Sequence, residues 1–207
     1  MPTSRPPRGA LRACAAAFAL ALATAACAVA GARSGGYPRT GPNGLAYSSA
    51  GAGIVQRQPA PGSCHARGSG LYSTPDPLCT PGALNPAVTD ATIDSTICRP
   101  GWTATVRPPE SITEPEKLAS MAAYGEHGSA SAFEYDHLVP LELGGAVNDP
   151  RNLWPEPDYA SVSGFYRNPK DHLELALKRL VCDGSLPLSQ AQLSIAVHWV
   201  AAYRRYG

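Results

Sequence analysis

The stretch from residue 134 to 145, Glu-Tyr-Asp-His-Leu-Val-Pro-Leu-Glu-Leu-Gly-Gly (EYDHLVPLELGG), decides how the rest of the chain is read. Ala132, Phe133 and Tyr135 form a strand-like apolar run that stops at two adjacent ionisable residues, Asp136 and His137. Pro140 and Gly144-Gly145 then require a turn. Beyond it, Asn148-Asp149-Pro150 forms a second turn signal and Asn152-Leu153-Trp154 resumes an extended segment. From Pro169 the sequence NPKDHLELALKRLVCDG is helical, with Leu173, Leu177, Leu180 and Val181 on one stripe and Gly184 just past the end. Residues 131–183 therefore read as strand, long turn, strand and helix.

A further helix is expected from Ser189, with a Ser189/Gln192 capping box and Leu193, Ala196, Val197, Val200 and Tyr203 on one face. Upstream, residues 88–98 suit a short helix carrying Val88, Ile93 and Ile97. WTATVR, residues 102–107, alternates large and β-branched side chains like a strand. Thr113-Glu114-Pro115-Glu116 is a capping-box start for a helix that runs to about Tyr124, before Gly125. The fold class expected is α+β: a small hairpin-and-helix core embedded in a mostly helical, disulfide-stapled single domain.

The N-terminus carries a targeting signal. Arg5, Arg8 and Arg12 precede the Ala/Leu-rich run 13–30, which is too weakly hydrophobic for a membrane span. Ala28-Val29-Ala30 fits a signal-peptidase site, while Ala25-Ala26-Cys27 offers the alternative of a lipid anchor at Cys27. Either reading makes residues 1–30 a signal peptide and the mature chain secreted or extracytoplasmic. Residues 31–62, rich in Gly, Pro, Ser and Ala, read as a disordered linker, which places the folded domain at 63–207. The signal takes three of the 17 basic residues and none of the 16 acidic ones, leaving 14 against 16 and a formal charge of −2. That excludes a generally basic nucleic-acid coat, so any phosphate-binding surface must be local.

Export also governs the cysteines. Cys64, Cys79, Cys98 and Cys182 remain after the signal, and two disulfides follow from an oxidising compartment. Of the three possible pairings, Cys64 with Cys79 closes a short Gly/Pro-rich loop, and Cys98 with Cys182 ties the front of the domain to its C-terminal helices; this pairing is favoured. With no C-x-x-C pair, a four-thiolate zinc site is not expected. A serine-hydrolase relay through Asp136-His137 lacks a G-x-S-x-G elbow.

The ordered set Asp136-His137-Leu138-Val139-Pro140, Gly144-Gly145, Asn152-Leu153 and Asn168-Pro169-Lys170 resembles the HNH endonuclease family, the ββα-metal fold. The resemblance implies a metal-dependent endonuclease hydrolysing phosphodiester bonds of DNA or RNA, with His137 as general base. It implies Asp136 as ligand of one divalent ion, Mg²⁺ or Mn²⁺, and Asn152 as the residue that braces the long turn and orients the base. The second metal ligand is Asn168 or, alternatively, His172. Arg151, Arg167 and Lys170 are close enough in sequence to line a phosphate track. The chemistry suits the residue types: imidazole removes a proton near neutral pH, hard oxygen ligands hold a divalent ion, and a hairpin packed on a helix fixes the geometry. The family's paired C-x-x-C knuckles are absent, and disulfides stand in their place. The competing expectation is a catalytically inactive binding domain on the same scaffold, with protein partners unspecified.

Overall fold

The computed structural model describes residues Thr40–Asp158 and Asn168–Gly207. The expected signal peptide, with Cys27, and the candidate Arg167 lie outside the described residues. The chain is an α+β domain. Strands β1 (Ala46–Tyr47) and β2 (Ala83–Leu84) pair in parallel, and helices α1 (Trp102–Val106) and α2 (Glu110–Tyr124) follow. The antiparallel hairpin β3 (Phe133–His137) and β4 (Leu153–Pro157) comes next, then helices α3 (Pro169–Cys182) and α4 (Leu188–Tyr206). Hairpin register sets Asp136 opposite Trp154 and His137 opposite Leu153. Among the described residues no helix is long and apolar enough to cross a membrane.

The core lies between the long turn and the last two helices. Leu138, Val139 and Leu143 from the turn meet Leu173, Leu177 and Val181 of α3 and Ile195 and Trp199 of α4. Leu173, Leu177 and Ile195 are fully buried, each contributing about 1.5–3 kcal/mol of hydrophobic stabilisation. This packing presses the turn that follows Asp136-His137 onto α3, which is what brings α3 to the strand end. A second cluster joins Trp154 of β4 to Ala123 and Tyr124 of α2 and to Cys64. The disulfides are Cys64–Cys79 and Cys98–Cys182.

Five expectations differ from the structure. Residues 102–106 are helical: a strand needs a neighbour, whereas a single turn closes its own hydrogen bonds, ending with Arg107 N–H donating to the Thr103 carbonyl at 3.1 Å. Residues 88–98 form turns around a 3₁₀ turn at Ile93–Ser95, because threonine hydroxyls capture the backbone there. Thr92 Oγ1 donates to the Ala87 carbonyl at 2.8 Å, and Thr96 Oγ1 to the Thr92 carbonyl at 2.7 Å. Helix α4 buries Leu188, Ala191, Ile195 and Trp199, while Leu193 and Val197 face outward.

The fourth difference concerns residues 40–62, which were expected in the linker. From Thr40 they are built into the domain. Asn43 Nδ2 donates to Gln192 Oε1 at 3.0 Å, β1 pairs with β2, and the Gln56 N–H donates to Glu116 Oε1 at 2.6 Å. Glu116, expected to close a capping box, is instead a buried anchor, and α2 starts earlier, after Pro109. A segment poor in apolar residues is held here by hydrogen bonds and by Leu45 and Tyr47, which pack against the core.

Candidate functional site

The site grows from the end of β3. Asp136 and His137 are its last residues, and alternation along the strand sends their side chains to opposite faces. His137 is buried, and its Nε2 lies 3.2 Å from the Val147 carbonyl oxygen. A carbonyl only accepts, so Nε2 carries the proton and Nδ1 carries the lone pair. The ring lines an open cleft of about 310 Å³ whose walls include Arg107, Lys117, Glu134 and Asp158. Burial drives the imidazole pKa down to about 4, against the opposing pull of Asp136, so the ring is neutral at neutral pH.

Asn152 holds the turn that supplies Val147. It is fully buried; Oδ1 accepts the Val139 N–H at 3.0 Å, while Nδ2 donates to the carbonyls of Val139 at 2.9 Å and Ala146 at 3.1 Å. One carboxamide thus ties both ends of the turn beside the histidine, the bracing position expected from the sequence. Gly145 permits the closure, since a Cβ there would lie 1.7 Å from the Val139 carbonyl oxygen.

On the other face stands a residue whose place the sequence did not reveal. Lys170, in the first turn of α3, is fully buried. Its ammonium donates to Asp136 Oδ2, to the His137 carbonyl at 2.7 Å and to Glu174 Oε1 at 2.5 Å, and Glu156 Oε2 lies 3.8 Å away. Three donors meet three oxygens. Burial opposes ionisation of Asp136, but the ammonium overrides it and the carboxyl falls below its usual range. Burial raises Glu156 and Glu174 well above the usual carboxylate range despite the ammonium. Lys170 itself is raised: burial acts to discharge it, and the carboxylates outweigh burial. The cluster is therefore one ammonium paired with the Asp136 carboxylate, with the Glu174 and Glu156 carboxyl groups beside it. Glu134, exposed at the cleft, is pushed up to about 7, chiefly by the charge of Asp136.

The remaining expected residues are placed differently. Asn168 caps α3, its N–H donating to Asp171 Oδ2 at 3.3 Å, and His172 is exposed half a turn around the helix from Lys170. Arg151 is bound by its own neighbour, Nη2 to Asp149 Oδ2 at 2.6 Å, and lies outside the histidine cleft. With Arg151 paired and Lys170 buried, these two residues do not form a surface phosphate track. The cleft's cations are Arg107 and Lys117, from segments the sequence marked only as scaffold. Glu174 did carry a signal, its i,i+4 spacing from Lys170.

These residues were tested against the implied divalent ion. Two buried oxygens, Glu156 Oε2 and Asn168 Oδ1, make no hydrogen bond and could accept a cation. However, Asp136 and Glu174 already hold the Lys170 ammonium, and no three described His, Cys, Asp or Glu side chains are grouped to hold a metal. A dication about 4 Å from that ammonium would meet about 8 kcal/mol of repulsion at an effective dielectric of 20. The residues do not fit a divalent ion at Asp136 while Lys170 is in place. Comparisons of the chain with family models, curated proteins and solved structures find no match.

Proposed function

We propose that the chain is an exported HNH-like endonuclease, a phosphodiester hydrolase acting on DNA or RNA, with His137 as its general base. The observation that carries this reading is the buried, neutral His137, whose Nε2 is committed to the Val147 carbonyl and which lines an open cleft. In that arrangement Nδ1 takes the proton from an attacking water, and Arg107 and Lys117 on the cleft wall meet the phosphate charge. Arg107 is near enough to help depress the imidazole pKa. A base this acidic is a weak proton acceptor that is fully deprotonated at neutral pH, so orientation and cleft cations carry more of the rate than basicity. The two disulfides are compatible with life outside the cytoplasm, as the N-terminal signal implies.

The test is nicking of supercoiled plasmid and cleavage of single-stranded DNA and RNA by the purified mature chain, beside His137→Ala. Loss of at least about a hundredfold in the variant is expected, the scale of general-base catalysis. Equal activity in both proteins, or none in wild type on any of the three substrates, rejects the reading. A second reading, a binding domain without turnover, is favoured by the cleft's charge: Glu110, Glu114, Glu134 and Asp158 outnumber Arg107 and Lys117. A folded chain that neither binds nor cleaves any of the three nucleic acids would select it.

A further inference from the structure

We propose that Lys170 is the resident cation of this site. Its ammonium, held by Asp136, Glu174 and the His137 carbonyl, takes the structural part of a divalent ion, joining α3 to the end of β3, so that no metal ion binds at Asp136. The inference concerns the same residues as the nuclease reading and extends it to metal-independent action, but it is tested separately.

Three features support it. First, the shell is a cation shell: a carboxylate oxygen from β3, a backbone carbonyl from β3 and a carboxylate oxygen from α3 surround one point, and a fourth oxygen from β4 stands just beyond hydrogen-bond reach. Hard oxygens from several elements converging on one charge are what a divalent ion recruits, at somewhat shorter radii. Second, the charge is placed against local preference. Lys170 sits in the first turn of α3, where the helix dipole disfavours a cation, and it is wholly removed from solvent. An unpaired ammonium could not persist there, so the acids around it are part of its site. Third, the ammonium touches the backbone carbonyl of the candidate base itself. Lys170 thereby positions the residue that bears the imidazole, and the hydrogen bond from Nε2 to Val147 fixes the ring from its far side.

Lys170 is accordingly a positioning residue. The probe is Mn²⁺ alone, followed by the electron-spin-resonance signal of the free ion and by paramagnetic broadening of the His137 ring protons in the full mature chain. Wild type is expected to leave the free-ion signal undiminished and the ring signals sharp. Lys170→Ala, which vacates the ammonium and leaves the oxygens, is expected to gain one Mn²⁺ with broadening of His137, and to recover on Mn²⁺ addition part of the thermal midpoint it loses. Saturable broadening in wild type that Asp136→Asn abolishes overturns the inference, as does a folded Lys170→Ala chain that gains no Mn²⁺. If Lys170→Ala does not fold, the wild-type titration decides: ring signals that stay sharp, or broadening that Asp136→Asn leaves unchanged, support the inference, and broadening that Asp136→Asn abolishes rejects it. These readouts do not use turnover, so a chain that cleaves nothing can still show the resident cation. A chain that nicks in the presence of chelator and binds no Mn²⁺ satisfies both readings.

Discussion

His137 and Asn152 are the residues whose roles can be separated by measurement. The imidazole pKa is about 4 folded, against an ordinary value of 6.5. The folded state binds fewer protons between those values, so the contribution to stability is full above pH 6.5 and is lost as the pH falls through 4. The gap corresponds to about 3 kcal/mol. Denaturant titrations should show wild type losing up to that much more stability than His137→Gln between neutral pH and about pH 4; parallel curves would contradict the buried neutral ring. Asn152→Ala removes the bonds to Val139 and Ala146 and leaves their buried backbone groups unpaired, an expected loss of about 3–4 kcal/mol in urea unfolding. At this scale the sequence was partly legible. Asp136, His137 and Asn152 stand at recognisable spacings, whereas Lys170, expected on a phosphate track, is buried once a neighbouring strand is folded against it.

Elements show where local signals were strong enough to decide and where they were not. Helix α3 was readable because Leu173, Leu177 and Val181 repeat on one stripe and Asn168-Pro169 marks its start. The hairpin was readable from its two extended runs and its turn residues. The five residues of α1 carried β-branched alternation but had no strand to pair with, and α4 presented two apolar stripes of which the helix packing buried only one. The turn between β3 and β4 makes the clearest prediction. Gly145→Ala sets a Cβ against the Val139 carbonyl at a distance no side chain tolerates. Gly144, with φ +74° and Val88 within 2.5 Å of any added Cβ, is similarly restricted. Gly145→Ala should therefore lower the thermal midpoint sharply and loosen the Val147 carbonyl from His137, seen as a shift of the ring signals at neutral pH. An unchanged midpoint would show that the turn closes in another way.

For the whole molecule, the staples and the early segment carry more than their composition suggests. Cys98–Cys182 closes 84 residues and Cys64–Cys79 closes 15. By loop entropy the first contributes about 4.5 kcal/mol and the second about 3 kcal/mol. The Cys98→Ser/Cys182→Ser chain should accordingly unfold at lower denaturant than the Cys64→Ser/Cys79→Ser chain, and the reverse order would mean that strain or residual structure dominates. Residues 40–62 were legible only as linker because their hydrogen bonds reach partners such as Glu116 and Gln192, far along the chain. By itself the sequence determined what depends on near neighbours: the hairpin, the α3 stripe and an even set of cysteines to pair. Tertiary structure alone decided that Asp136 meets an ammonium, that Val147 sets the histidine tautomer, and that Arg107 and Lys117 share its cleft. Those facts depend on side chains from distant elements packed together, and no periodicity or spacing along the chain encodes such a meeting.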